Sequence, residues 1–116
     1  MPRPRNLLSL VAIVAVVLCG AEAVRHFHDR SLAQRLAAAG PGEIVMYSTT
    51  ECPYCAKARD WFDRHGVIFT ECNLSVSEVC RQAFARLGAV GVPTFVVDGK
   101  TRSGFDPQWI ATALGR

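Results

Sequence analysis

The sequence predicts a small α/β domain, a mixed four-stranded sheet with three helices, preceded by an N-terminal hydrophobic helix. Three observations carry this reading. An apolar run from Leu7 to Leu18 stands apart from everything after it. From Glu43 onward, short strand-like runs alternate with segments of helical periodicity. Asp98-Gly99, the residue pair that two-residue hairpins prefer, separates two of those runs. With 116 residues, 50% of them hydrophobic, and a net charge of +3, the chain holds one such domain and an additional segment. The modest positive charge shows no interleaved aromatics, which argues against a nucleic-acid partner.

The additional segment is N-terminal. Arg3 and Arg5 precede the apolar run, and Cys19, Gly20 and Ala21-Glu22-Ala23 follow it, so residues 1–24 are organised as a signal peptide with an A-x-A cleavage site or as a membrane anchor. Running to Ala21, the stretch is fifteen residues long, whereas a spanning helix needs about 20; admitting Glu22 and Val24 lengthens it. Both outcomes stay open. Lipid attachment through Cys19 is disfavoured by Leu18, which stands where a small residue is needed. The two arginines and the free amine hold the N-terminus in the cytoplasm, so the domain is expected outside it, exported or membrane-anchored, on the periplasmic side if the source is bacterial. Arg25, Arg30 and Arg35 beyond the run oppose this, partly offset by Glu22 and Asp29. Cysteine usage agrees with export, since four of the five cysteines fall in residues 43–116, a density ordinary in an oxidising compartment. Residues 25–42 read as a helical spacer, with Phe27, Leu32 and Leu36 near helical spacing and Gly40-Pro41-Gly42 at its end. His26 and His28 would point to different faces of that helix, which speaks against a metal pair.

Residues 43–116 form the domain. Glu43-Ile44-Val45-Met46-Tyr47 reads as a buried strand, and Pro53 suits the first position of a helix running to His65, with Cys55, Ala58 and Phe62 on one face and Gly66 ending it. Val67 to Asn73 reads as the second strand. Ser75-Val76-Ser77-Glu78 has the form of a capping box opening a helix whose Val76, Cys80, Ala83, Phe84 and Leu87 share an apolar face before Gly88. Thr94-Phe95-Val96-Val97 and Lys100-Thr101-Arg102-Ser103 flank the Asp98-Gly99 turn, and Asp106-Pro107 caps a last helix containing Trp109, Ile110, Ala113 and Leu114. This order makes the first two strands parallel through a crossover and adds the hairpin antiparallel.

The chemistry centres on Cys52-Pro53-Tyr54-Cys55. Cys52 falls at the helix N-cap, where the positive end of the helix dipole and unpaired N–H groups favour a thiolate, below the free thiol pKa of about 8.5. Cys52 is therefore the expected nucleophile. Cys55, one turn further in, is placed to attack a mixed disulfide on Cys52 and is the expected resolving thiol. A zinc site would need two further ligands at knuckle spacing, which Cys72 and Cys80, with seven residues between them, do not supply, so no metal is expected. In an oxidising compartment Cys72 and Cys80 are candidates for a structural disulfide; the alternative is that Cys80 packs as a small apolar residue.

Taken together, Cys52-Pro53-Tyr54-Cys55 after a first strand, Val92-Pro93 before a third and Gly104-Phe105-Asp106 before the final helix resemble the glutaredoxin family of the thioredoxin-like superfamily, in its dithiol form. The likeness covers about Glu43 to Leu114. It implies a thiol–disulfide oxidoreductase that reduces or exchanges protein disulfides and glutathione mixed disulfides, with no permanently bound cofactor and glutathione as co-substrate. It also implies a cis peptide before Pro93 facing Cys52, backbone pairing of Val92 with the substrate, Tyr54 in the same groove, and Phe105 and Asp106 N–H groups holding a glutathione carboxylate, with Gly104 permitting the close approach.

The chain departs from the family in two places. Thr49 stands where many glutathione-using members have a lysine, and Pro107 where they have a second aspartate, and both changes weaken carboxylate recognition. The Gly-Phe-Asp-Pro run is instead similar to glutaredoxin-like donors recharged by thioredoxin reductase, so glutathione and a reductase of that kind both stand as electron sources. Lys57 and Arg59 are cations that would compensate, but on a helix surface each reads more simply as a solvated charge. The expected partners are disulfide-bonded or glutathionylated client proteins, and the membrane itself through residues 7–24 if the anchor is uncleaved. Two other readings compete. In a glutathione-ligated iron–sulfur carrier a small residue usually replaces Pro53, and a membrane-tethered peptide-binding module would have no need of both Cys52 and Cys55.

Overall fold

A computed structural model describes residues 4–115, so Arg3 lies outside the described residues. The chain divides into two units between Ser31 and Leu32. The first consists of most of helix α1, Pro4–Ala37. Its Leu8, Val11, Val14, Val16 and Leu18 lie around the helix and are all exposed. An 18-residue stretch has a mean hydropathy of 2.5, and the helix is long and apolar enough to cross a membrane. The apolar run does not end the helix. It continues through Glu22 and Arg25, which form an exposed i, i+3 pair at 3.9 Å, for 34 residues in all.

The second unit begins inside the segment expected as a spacer. Leu32, Ala33, Leu36 and Ala39 are buried, and Leu32, Leu36 and Ala39 belong to the domain core, whereas Phe27 is exposed. Residues 25–42 are thus not one independent stalk. Helical spacing of apolar residues identifies a face that can be buried, and only tertiary contact determines how much of it is.

The domain runs β1 Ile44–Ser48, α2 Pro53–His65, β2 Thr70–Asn73, α3 Glu78–Leu87, β3 Thr94–Val97, β4 Lys100–Ser103 and α4 Pro107–Leu114. The sheet order is β2-β1-β3-β4, with β1 parallel to β2 and antiparallel to β3, and β3 antiparallel to β4. This is the thioredoxin-like architecture, with a mixed sheet whose central strands supply the core. On β1, Ile44, Met46 and Ser48 are fully buried on one side, and they share that interior with Phe95 and Val97 of β3, Ala58 and Phe62 of α2, and Ile110 and Ala111 of α4. Tyr47 points to the other side and meets Phe84 of α3, ring centroids 5.8 Å apart. At the hairpin Asp98 and Gly99 both have positive φ, 50° and 72°, as a primed turn requires.

Two local details differ from the sequence reading. The N-cap of α3 is Ser77, whose side chain accepts from Cys80 N, so Glu78 opens the helix and Ser75 lies before it. Ser75 Oγ instead accepts from Thr50 N at 3.0 Å, and Ser75 N donates to Asn73 Oδ1 at 2.8 Å. Two serines in one turn offer two caps, and the Asx-type bond of Asn73 decides between them. Val76 therefore sits outside the helix and is exposed, apart from the half-buried face that Cys80, Ala83, Phe84 and Leu87 form on α3. The second strand also starts later than expected, at Thr70, because Val67 and Phe69 pack against the core before sheet pairing begins.

Candidate active site

The loop after β1 delivers Cys52 to the N-cap of α2 in an extended conformation, φ −132° and ψ 103°, and Pro53 occupies the first turn where no N–H is needed. Cys52 Sγ accepts from Cys55 N at 3.1 Å. The two cysteines are joined as a disulfide with Cα atoms 5.2 Å apart. Their exposure differs sharply. Cys55 is fully buried, while Cys52 is partly open, so an incoming sulfur can reach only Cys52.

The loop is held from one side by hydrogen bonds to the β2–α3 connection. Leu74 N donates to Ser48 O at 2.8 Å, Thr50 N to Ser75 Oγ, and Asn73 Nδ2 to Thr50 Oγ1 at 3.4 Å. Beneath it, Glu71 of β2 accepts from buried Ser48 Oγ at 2.8 Å and from both arms of the Arg59 guanidinium, whose Nε lies 3.0 Å away. The Arg59 hydrogen bond, and secondarily that of Ser48, hold the Glu71 carboxyl below its usual range against the opposing effect of burial. Arg59, read from sequence as a solvated charge, is thus an internal tie between α2 and β2.

On the other side lies a groove. The Val92-Pro93 peptide is cis, Pro93 is buried, and Pro93 O accepts from Gly104 N at 2.8 Å. Gly104 has φ 90°, a conformation that favours glycine. Tyr54, Lys57, Val92, Pro93, Gly104 and Phe105 line one cavity of about 490 Å³. Five of these were expected from sequence as groove residues, whereas Lys57 was weighed as a compensating cation and read more simply as a solvated charge. Its position three residues after Tyr54 puts both on one helix face. Asp106 is not among the lining residues. Its carboxylate caps α4, accepting from Gln108 N at 3.1 Å and Trp109 N at 3.2 Å, and faces Arg102 at 3.4 Å.

The glutaredoxin family model matches residues 44–101, half of the chain. The chain belongs to the glutaredoxin family. Among curated proteins none matches it in sequence. Among solved structures it is similar to a mutant of a thioredoxin-like protein, at 22% identity and a TM-score of 0.54 over 61% of this chain and 97% of that one. It is also similar to a mutated buckwheat glutaredoxin, at 23% identity and a TM-score of 0.51 over 76% and 88% of the two chains. A buckwheat glutaredoxin in complex with glutathione matches at 26% identity and a TM-score of 0.50, covering 76% and 82%. Membership makes this glutaredoxin, in general terms, a thiol–disulfide oxidoreductase.

Cys72 and Cys80 are paired in a second disulfide, Cα atoms 5.4 Å apart, which links the end of β2 to the first turn of α3. It closes the connection that carries Asn73 and Ser75, the two residues bonded to Thr50. Replacing both cysteines by serine is expected to lower stability by about 2–3 kcal/mol, the loop-closure entropy of a ring this small. Urea unfolding of the oxidised proteins measures it, and equal midpoints would show that the bridge does not constrain the unfolded chain.

Proposed function

We propose that this glutaredoxin reduces or exchanges protein disulfides and glutathione mixed disulfides through Cys52 and Cys55. The observation that carries the reading is the asymmetry of the pair: Cys52 is accessible at the α2 N-terminus beside the Tyr54, Val92 and Pro93 groove, and Cys55 is buried behind it. The Cys52 thiolate attacks one sulfur of the substrate disulfide, the substrate S–S bond breaks, and the departing thiolate takes a proton from solvent. Cys55, once deprotonated, attacks Cys52 Sγ, releases the second thiol and leaves the Cys52–Cys55 disulfide. Two electrons have then passed from the pair to the substrate. Two molecules of glutathione, oxidised to their disulfide, or a thioredoxin-reductase-like donor return them.

Glutathione as co-substrate is supported by the buckwheat complex and by a groove that keeps Tyr54, Val92, Pro93, Gly104 and Phe105 together. Thr49 and Pro107 leave that groove without two of the family's polar contacts. The test is to mix reduced protein with a glutathionylated peptide. Release of one equivalent of peptide thiol with formation of the Cys52–Cys55 disulfide is expected, much faster than with free dithiothreitol at equal concentration. An equal rate would defeat the reading.

The domain acts outside the cytoplasm in this proposal, released after Ala23 or held by residues 7–24. Support comes from the exposed apolar stretch of α1, from Arg5 on its N-terminal side and from the Cys72–Cys80 bridge. A C-terminal alkaline phosphatase fusion should be active, because that reporter needs disulfides formed outside the cytoplasm. An inactive fusion, with a cytoplasmic fluorescent reporter lit, would place the domain in the reducing thiol pool.

A further inference from the structure

We propose that Cys72–Cys80 is a second redox site, open to low-molecular-weight thiols, whose disulfide clamps the loop carrying Cys52 and whose reduction slows exchange there. The proposal rests on the exchange activity assigned above to Cys52. The bridge closes a turn that is tied on both sides. Within the turn Asn73 O accepts from Val76 N at 3.3 Å and from Ser77 N at 3.1 Å, Asn73 Oδ1 accepts from Ser75 N, and Arg81 Nη1 donates to Leu74 O at 2.7 Å. The same residues reach the segment before Cys52, where Leu74 N donates to Ser48 O, Thr50 N to Ser75 Oγ, and Asn73 Nδ2 to Thr50 Oγ1. Thr50 is two residues from the nucleophile. A movement of the turn is therefore passed to Cys52 and away from the α2 N-terminus, where the Cys55 N–H meets its sulfur.

The surroundings of the bridge suit it to open and close. Along its length α3 is half-buried at most, so noncovalent packing holds it lightly and the covalent link to β2 supplements that hold. Both cysteines are half-buried, and exposed Val76 and Val79 lie beside Cys80, so a small thiol can reach the sulfurs. Cys80 is the third residue of α3, where the helix dipole favours a thiolate, and the charge of Glu78 next to it is paired with Arg81. Cys80 is thus the better leaving group. An incoming thiolate attacks Cys72 Sγ, the S–S bond breaks and Cys80 departs as a thiolate; a second thiolate then attacks the added sulfur and frees Cys72. Two small thiols have become one disulfide, two electrons have entered the protein, and both cysteines end as thiols with the protons that the incoming thiols gave up.

The test uses the full chain in detergent with Cys55→Ser, which leaves Cys52 free while the bridge is either intact or opened with excess glutathione that is then removed. Iodoacetamide labelling is read peptide by peptide, so that Cys52 is followed apart from exposed Cys19. Opening the bridge is expected to move the labelling profile of Cys52 to higher pH. Its rate at about pH 6 falls about three- to tenfold while the rate at about pH 9 holds, and first-turnover exchange with a glutathionylated peptide at the lower pH falls by the same factor.

Asn73→Ala cuts the link to Thr50 with the bridge in place. It should displace the profile in the same way, and opening the bridge in that variant should add nothing. A bridge that glutathione cannot open in the folded protein, an unchanged profile, an equal fall at both pH values, or additive effects of Asn73→Ala and bridge opening would each overturn the proposal. Failure of the underlying activity looks different, because wild type would then act on the glutathionylated peptide no faster than Cys52→Ser, and the labelling profile would still decide on the clamp.

Discussion

Cys52→Ser is expected to bring exchange on every disulfide substrate down to the background rate, whereas Cys55→Ser should keep part of the activity on glutathione adducts and lose protein-disulfide reduction. The difference follows from which sulfur does what. Without Cys52 no sulfur is accessible at the α2 N-terminus, since Cys55 is fully buried. Without Cys55 the attack by Cys52 still occurs, but a mixed disulfide formed with a client has no internal thiol to resolve it and accumulates. A glutathione adduct on Cys52 is cleared by a second glutathione from solution, so that turnover survives. Iodoacetamide titration of the reduced protein gives an independent check on the assignment. Cys52, at the N-cap with the Cys55 N–H directed at its sulfur, should alkylate at a pH below the ordinary thiol value of about 8.5. If Cys55 reacts at the lower pH, the roles are reversed.

The parts of this site that could be read in the sequence are those whose residue type is itself unusual. A Cys-x-x-Cys at a helix start, a proline before a strand and a glycine before a capped helix have few other uses in that order, and Cys52, Cys55, Pro93 and Gly104 are accordingly where they were expected. Lys57 and Arg59 were opaque for the opposite reason. On a helix surface a cation that binds nothing, one that binds a ligand and one that ties two elements together have the same local pattern. The partner that distinguishes Arg59, Glu71, lies twelve residues away on β2. Asp106 was legible as a cap, and its carboxylate accepts from Gln108 N and Trp109 N, not from the Phe105 and Asp106 N–H groups expected to face a ligand.

Element order and topology were legible for a related reason. Asp98-Gly99 requires positive φ, and Gly66 and Gly88 stop helices in the left-handed conformation at φ 65° and 68°. Errors fell where local signals were degenerate or where tertiary contact decides. Ser75 and Ser77 compete for one cap, and Leu32 and Leu36 are no more apolar than Phe27, yet they are buried and Phe27 is not. Nothing in the periodicity of α1 marks Leu32 as the residue where the helix enters the domain core.

Phe62→Ala is expected to destabilise the domain by about 3–5 kcal/mol, more than loss of the Cys72–Cys80 bridge. Phe62 is fully buried at the centre of an aromatic cluster, with ring centroids 4.7 Å from Phe69, 5.4 Å from Phe105 and 6.0 Å from both Phe95 and Trp61. Truncation removes contact with all four rings at once, and their attachment to α2, the α2–β2 connection, β3 and the β4–α4 connection limits collapse into the space. Against a typical total of about 5–15 kcal/mol, the loss leaves a small domain marginal at best. Phe62→Leu, which keeps most of the volume, should cost clearly less. The functional effect follows the same contacts, because Phe105 both packs on Phe62 and lines the groove. If the cavity lets Phe105 settle inward, the groove wall recedes, and KM for mixed disulfides should rise with little change in kcat, since Cys52 and Cys55 sit a turn or more away on α2. Urea unfolding gives the stability term, and kinetics at a temperature where the variant is fully folded give the other. A loss below about 1 kcal/mol would mean that the neighbouring rings close the space, and a kcat effect without a KM effect would mean that the strain is relayed along α2 to the cysteines and not through Phe105.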